Sequence, residues 1–597
     1  MSGRPSFVTL KISTLRCLGL PLFLFLFQAL LASADVRLPA IFGSHMVLQQ
    51  TTKIPVWGWA DAGEAVTVTV GDHTAKTTAD ANGKWRVDLD PFPAGATSTA
   101  ATTMTVAGKN KLAFDDVLIG DVWVCSGQSN MEFTLGGEAT RATAVPAAND
   151  PQLRLFLVTK KLSLQPVTDL AGEWKACTPD AVKDFTAVGY FFGKELREHL
   201  NEPIGLIGTY WGGSTAQAWT SLSGLQKDPP FTRYLDLYKK NAADFDKLND
   251  HYTEREAAYT DALKQWTDAG NKPAFDAWNI AMRAAQKNHQ PIPPQTFPPK
   301  PVEPVLPGGD QKAPANLYNG MIAPLLPYAI KGVIWYQGEY NTDDPMEYYD
   351  LFPRLITDWR EKWGQGDFPF LFVQLPSLFL NKPEFLRKID SDGWDIVREA
   401  QAKALALPNT GMAVTLDVGG GLHPVDKLDV GKRLSLVARH QVYGENLVSS
   451  GPMYQSMSAD ATKITIAFTQ VNGGLTIGLS PFPDPNASQG VQPKDKLAGF
   501  SIAGADKKWV EADAQINGDK VVVSSPQVPS PAAVRYGWGS GRFDGECNLY
   551  NKDGFPAAPF RTDDWDDIHL PNAKMPPSAT PAAAPAATST ATPGATH

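Results

Sequence analysis

Between residues 116 and 445 the chain alternates short, mainly apolar runs with segments of helical periodicity, and few folds accept that pattern. The runs cover residues 117–124, 204–209, 332–336, 370–375 and 412–416. Each is short enough for a strand, and none shows the polar alternation of a strand with one wet face. Between the runs, apolar residues recur at three- and four-residue spacing. Examples are Phe185, Val188, Phe192 and Leu196, then Tyr348, Leu351, Leu355 and Trp359, then Val430, Leu434 and Val437. Strands buried on both faces and separated by amphipathic helices specify a parallel α/β sheet covered by helices.

The flanks differ. Residues 35–115 read as a β-sandwich domain: Val66, Val68 and Val70 alternate with threonine, and Trp85, Val87 and Leu89 do the same after an Asp80-Ala81-Asn82-Gly83 turn. Residues 446–567 read as a second β domain, with runs at 463–468, 475–479 and 521–523. The core is long for one sheet, and an insertion at 226–312 explains the excess. In it Phe245, Leu248, Tyr252, Tyr259, Leu263 and Trp266 predict one amphipathic helix, and a second follows around 275–285. Residues 291–307 then hold eight prolines in seventeen positions, a polyproline-like arm. The tail, 568–597, is dominated by Ala, Pro, Thr and Ser and is expected to be disordered.

Residues 1–34 read as an export signal. Arg4, Lys11 and Arg16 precede an apolar stretch at 18–31, and Ala32-Ser33-Ala34 offers a cleavage site. The expected location is therefore periplasmic or extracellular, with no stable membrane insertion after cleavage. Lys and Arg number 54 against 63 Asp and Glu, so the basic excess of a nucleic-acid binder is missing. Cys125, Cys177 and Cys547 are too few for a disulfide scaffold, although Cys125 and Cys177 could bridge in an oxidising compartment. Neither CxxC nor HExxH occurs, so nothing in the sequence supports a zinc site.

In open α/β sheets, ligands bind beyond the carboxyl ends of the strands, so chemistry is sought there. The first run ends in Cys125-Ser126-Gly127-Gln128-Ser129-Asn130-Met131 and the second in Tyr210-Trp211-Gly212-Gly213. The third ends in Gln337-Gly338-Glu339-Tyr340-Asn341, and the fifth in Asp417-Val418 followed by glycines and His423-Pro424. A serine hydroxyl is a poor nucleophile until an imidazole takes its proton, and a carboxylate can hold that imidazole in the correct tautomer. The oxyanion that follows needs donors, which a glycine turn and an asparagine amide can supply. Simpler readings stand beside these. Ser129 could cap a helix, Gly212-Gly213 could be only a loop, Asn341 an Asx turn, and Glu339 a supporting hydrogen-bond partner. Of nine histidines, only His423 sits in a glycine-rich loop just past a core run.

At this point the chain resembles a family. GQSNM at 127–131, GGS at 212–214, QGEYN at 337–341 and the His423-Pro424 pair are similar to the four blocks of the SGNH hydrolase superfamily. The segments MVLQ at 46–49, VWGW at 56–59, GDVW at 120–123, LYNGMI at 317–322 and NLYN at 548–551 resemble, more narrowly, the sialate O-acetylesterase family of carbohydrate esterases. The resemblance implies an SGNH-type, flavodoxin-like hydrolase core with flanking β-sandwich domains. It implies Ser129 as nucleophile, His423 as base, and Gly213 and Asn341 as oxyanion donors. Many SGNH enzymes carry the acid three residues before the histidine, where this chain has Gly420. The sialate-esterase pattern instead has an aspartate at the end of the preceding strand, which Asp417 matches, and a Ser–His dyad is the fallback. Gln128, Glu339 and Trp211 border these positions and are candidates for supporting or substrate-contacting roles.

The expected activity is that of an exported serine esterase acting on O-acetyl groups of a carbohydrate, a sialate or an acetylated plant polysaccharide, through an acetyl-enzyme and with no metal or organic cofactor. Trp211, Trp219, Trp335 and Tyr336 are candidates for stacking on sugar, with Trp335 favoured as core. Two rivals remain at this level. One is a non-hydrolytic carbohydrate-binding protein. The other is a glycosidase pairing Glu339 with Asp343 or Asp417, which requires two carboxylates facing each other across the bond to be cut.

Overall fold

The computed structural model describes residues 35–95, 101–287, 291–378, 393–419, 421–478, 495–539 and 546–565. The expected export signal and tail lie outside them, as does Gly420. No helix among the described residues is long and apolar enough to cross a membrane.

The centre is a parallel sheet in the order Thr410–Ala413, Phe370–Val373, Gly332–Tyr336, Lys111–Gly127, Ile204–Tyr210 and Asp150–Leu157, with Trp174–Cys177 antiparallel at the edge. Strands Ile204–Tyr210, Gly332–Tyr336 and Phe370–Val373 are buried along their whole length, which is why they appear as mainly apolar runs. Trp123 lies opposite Gly332 and Trp335 opposite Ser126, so the two indoles project from opposite faces. Trp123 meets Phe192 of helix Ala187–Leu200 at 5.0 Å, and Trp335 meets Trp359 of helix Tyr348–Trp363 at 5.8 Å. Both faces are therefore covered. Truncating either tryptophan to alanine would cost about 3–5 kcal/mol.

The five runs read from sequence stand in the flavodoxin-like order 2-1-3-4-5. Two details depart from the sequence reading. With a further strand at the edge, the parallel strands counted along the chain stand in the order 2-3-1-4-5-6. The second of them, Asp150–Leu157, was hidden in the sequence by Arg154 at its middle; that guanidinium is buried and grips Asp116 at 2.7 and 2.9 Å. Finally, the expected boundary at 115/116 falls inside one continuous strand of 17 residues, Lys111–Gly127. Its first part pairs antiparallel with Thr102–Ala107 and its last part enters the core sheet. Arg154 and His45 satisfy Asp116 within the strand.

Ahead of that strand, Ala65–Val70 joins His73–Thr78 and Thr102–Ala107, while Ile54–Trp59 pairs with Lys84–Leu89. After the core come two four-stranded antiparallel sheets and a two-stranded one, built from residues 453–561. Among its described residues the insertion holds three α-helices rather than two, Thr232–Asn249, Tyr252–Asp268 and Asn271–Lys287. The apolar spacing across 245–266 continues in phase, but His251 adopts a left-handed conformation (φ 52°) and splits the expected single helix. The proline arm folds back on these helices: Trp266 and Trp278 donate their indole N–H to the carbonyls of Pro298 and Pro293, both at 2.8 Å. Cys125, Cys177 and Cys547 are all buried, and the possible Cys125–Cys177 bridge is not formed.

Candidate active site

The first core strand ends at Gly127, in register between Tyr210 and Tyr336. Its φ is 140°, and a Cβ there would lie 2.1 Å from the Tyr336 carbonyl oxygen, so only glycine fits. The chain then turns sharply. Gln128 donates its N–H to Tyr336 O at 3.0 Å, and its own carbonyl accepts from Met131 and Glu132 as the short helix Ser129–Glu132 begins. Ser129 is thereby set at the top of the central strand with no intrahelical acceptor for its N–H. The Gln128 side chain is buried and its Oε1 accepts from the N–H groups of Gly338 and Tyr340 at 3.4 and 3.3 Å, tying this turn to the loop after the third run.

Across 294 positions of sequence, His423 Nε2 lies 2.8 Å from Ser129 Oγ. Partial burial, and after it the nearby Lys427 charge, hold the imidazole pKa below its ordinary value. The ring is therefore neutral at physiological pH and able to accept the serine proton.

The Gly212-Gly213 turn runs directly against Ser129: a Cβ on Gly212 would sit 3.3 Å from the serine Cβ. Glu132 anchors that turn by accepting the Gly212 N–H at 2.6 Å. Gly213 has φ 70° and, among the described residues, no partner for its N–H. Asn341 is buried and locked. Its Oδ1 accepts from Ala216 N at 3.0 Å and Gln337 Nε2 at 2.7 Å, and its Nδ2 donates to Gln217 Oε1 at 3.2 Å, which leaves one amide proton. Ser129, Gly213 and Asn341 thus come from the strand ends that flank the point where the sheet reverses its order, and His423 is brought to them by the loop after the edge strand Thr410–Ala413. That arrangement can carry out acyl transfer: a hydroxyl, a neutral base touching it, and uncommitted donors nearby.

Asp417 is placed elsewhere. Its carboxylate is gripped by Arg433 at 2.6 and 2.9 Å and accepts from the Tyr550 hydroxyl at 3.0 Å. Among the described residues no hydrogen bond joins it to His423. The expected pairing thus gives way to a bidentate one, because a planar guanidinium satisfies both carboxylate oxygens at once. Glu339 lies behind Ser129. Its Oε1 accepts from Asn130 Nδ2 at 2.5 Å, its Oε2 is buried without a partner, and burial raises its pKa. With Asp417 enclosed by Arg433 and Asp343 exposed, the carboxylate pair of a glycosidase is not assembled.

Around the opening, Trp211 is partly exposed with the Lys160 ammonium over its ring at 5.2 Å. Tyr340, 3.9 Å from the position a Gly213 Cβ would take, is 40% exposed and carries the Lys312 ammonium at 4.8 Å. Gln311 lies 3.6 Å from the position a Gly213 Cβ would take, so the returning end of the insertion reaches the rim. Trp219, Trp335 and Tyr336 are fully buried and are core, not sugar platforms.

Two residues near the pair were not singled out from sequence. Asn130 follows the serine and is wholly buried, and Lys427 is wholly buried beneath the histidine loop. One sequence signal for Lys427 existed: it stands at the N-terminal cap of helix Leu428–Gln441, where the helix dipole disfavours a cation.

Comparison with known proteins gives a consistent set of relatives. A family model described as carbohydrate esterase, sialic acid-specific acetylesterase, matches residues 119–251 and 310–426. The chain is 30% identical over 485 residues to a sialate O-acetylesterase of Homo sapiens, covering 75% of this chain and 79% of that protein. It is 32% identical over 466 residues to the sialate O-acetylesterase of Mus musculus, covering 71% and 76%. Among solved structures it is similar to a carbohydrate acetylesterase from Xanthomonas citri, with 36% identity, a TM-score of 0.68, and coverage of 89% of this chain and 100% of that one.

Proposed function

Because this chain belongs to the sialic acid-specific acetylesterase family of carbohydrate esterases, we propose that it removes O-acetyl groups from a sugar with Ser129 as nucleophile and His423 as its base. The observation that carries the mechanism is the 2.8 Å contact between Ser129 Oγ and His423 Nε2 beside an uncommitted Gly213 N–H. Ser129 Oγ attacks the acetyl carbonyl as its proton passes to Nε2. The tetrahedral oxyanion is met by the N–H groups of Gly213 and Ser129 and the remaining amide proton of Asn341. Collapse breaks the bond to the sugar oxygen, which takes the proton from imidazolium and leaves as an alcohol. Water, deprotonated by the same imidazole, then releases acetate and restores the hydroxyl.

Asp417 plays no direct part in this cycle, so the pair works as a dyad. The relatives named as sialate O-acetylesterases and as a carbohydrate acetylesterase support an acetylated sugar as substrate. Trp211 and Tyr340 are the aromatic surfaces beside the opening on which a sugar ring would lie. The pattern of residues 1–34 supports export, and a mature chain beginning at Asp35 is the expected product. Measuring acetate and reducing ends released from acetylated sialoside, acetylated xylan and acetylated xyloglucan tests the reading. Acetate from one of these without new reducing ends is expected; reducing ends without acetate would refute it.

A further inference from the structure

The loop carrying His423 connects strand Thr410–Ala413 to helix Leu428–Gln441, and Leu422 and His423 within it are exposed. A base on such a loop must still be held to within a fraction of an ångström of its nucleophile. The means of holding it are specific. The carbonyls on the two sides of His423 are each taken by a side-chain donor from below: Leu422 O accepts from Asn130 Nδ2 at 2.9 Å, and Pro424 O accepts from Lys427 Nζ at 2.6 Å. The two donors are joined, because Lys427 Nζ also donates to Asn130 Oδ1 at 2.7 Å. Asn130 in turn gives Nδ2 to Glu339 Oε1. Asn130 is the chain neighbour of Ser129, so the backbone on each side of the base is referenced to the backbone of the nucleophile.

We infer that Asn130 and Lys427 form a buried clamp that positions His423 against Ser129, with Lys427 the positioning residue that fixes the base. This rests on the reading of Ser129 and His423 as the catalytic pair. A lysine with no solvent exposure is costly to fold unless its donors are matched, and two of them are. Its ammonium lies over the rings of Phe133 and Tyr336 at 5.1 and 5.4 Å. The titratable groups around it are Glu339 from the third strand's loop, Glu138 from the segment after the first turn, and Asp426 and His423 from its own loop, with Arg433, Asp417 and Asp429 grouped beyond Asp426. Burial brings the Lys427 amine down to about 7. Even a neutral amine keeps two protons, enough for both bonds, so the clamp persists when the charge is lost. While charged, Lys427 opposes protonation of His423.

The test uses the full-length enzyme with p-nitrophenyl acetate, reading kcat, KM and the acid limb of the pH profile beside thermal stability. Lys427→Met is expected to lower kcat at least tenfold with KM within twofold, and to move the acid limb upward by several tenths of a pH unit. Asn130→Ala is expected to lower kcat to a similar extent, and the double variant to be little worse than either. A folded Lys427→Met enzyme with wild-type kcat and acid limb, or one changed only in melting temperature, overturns the clamp. If Lys427→Met does not fold, Lys427→Gln keeps an amide donor without the charge: an upward acid limb is expected, and an unmoved limb with wild-type kcat overturns the inference. Failure here is separable from failure of the proposed function. An inert Ser129→Ala enzyme beside an unaffected Lys427→Met one rejects the clamp alone, whereas an active Ser129→Ala enzyme rejects the catalytic pair and the clamp with it.

Discussion

The strand-end site and the helical insertion sit against one another at residues 310–312, yet they are built on opposite principles. Around Ser129 the supporting polar side chains are committed, while the donors that would face an oxyanion are left open. Gln128, Asn130, Glu132, Asn341 and Lys427 are tied across four loops, and the elements beneath them are buried. In the insertion, helices Thr232–Asn249 and Tyr252–Asp268 each bury a single residue, Tyr234 and Trp266, and five ion pairs among its described residues are exposed i,i+3 or i,i+4 contacts. Such pairs are worth a few tenths of a kcal/mol each. The family model follows the same division, matching up to residue 251 and resuming at 310. Chemistry constrains the first region atom by atom; shape and solvation constrain the second loosely.

If that contrast is right, substitutions should differ in kind as well as size. The largest effect belongs to Ser129→Ala, which should cut acetate release by roughly four to six orders of magnitude, with Ser129→Ala plus His423→Ala little worse than either alone. Steady-state kinetics check this, and circular dichroism confirms the fold. Asn341→Ala should lower kcat roughly tenfold to a thousandfold through a lost oxyanion donor; a change confined to KM would make it a sugar-binding residue instead. Asp417→Asn should cost stability, about 3 kcal/mol, since it leaves the buried Arg433 charge poorly matched. Its kcat should stay within threefold in the folded protein. A tenfold loss of kcat there would restore Asp417 to the catalytic group and sharpen the contrast further.

Smaller effects probe the boundary. The lowered His423 pKa keeps the imidazole neutral into mildly acidic solution, so kcat/KM should fall only below the ordinary imidazole range of ~6.5. An acid limb above that value would mean that His423 meets a negative charge the structure does not place there. The smallest change is expected from the insertion. Tyr252 and Glu303 lie close enough to interact electrostatically, so a short Gly/Ser bridge can replace residues 252–303 while sparing the buried Phe231 and Tyr234. Turnover of p-nitrophenyl acetate should hold within twofold, while acetylated oligosaccharide, which extends past the rim, should be cleaved more slowly. Parallel losses on both substrates would erase the distinction between the two regions.

What could be read from the sequence divides in the same way. The core strands were legible because burial on both faces leaves a mainly apolar run, and Ser129, Gly213, Asn341 and His423 stand out as candidates because each follows such a run. The partners of Asp417, Arg433 on the next helix and Tyr550 more than a hundred residues away, could not be read because they are not adjacent in sequence. Nothing local distinguishes a carboxylate facing a guanidinium from one facing an imidazole. Strand Asp150–Leu157 was missed for a related reason, since a buried arginine paired to Asp116 reads as surface. Lys427 resembles a solvated lysine until Asn130 and the Pro424 carbonyl are brought to it. In the insertion, apolar spacing located helices but could not locate the break at His251, which a backbone angle decides.

The central claim is that Ser129, activated by His423, forms the covalent bond. It is tested most directly by incubating the enzyme with a fluorophosphonate and locating the adduct by peptide mass spectrometry. One equivalent on Ser129, lost in His423→Ala but retained in Asp417→Asn, is the predicted result. An adduct on any other residue, or an unmodified Ser129 in enzyme whose acetate release has been abolished, would contradict it.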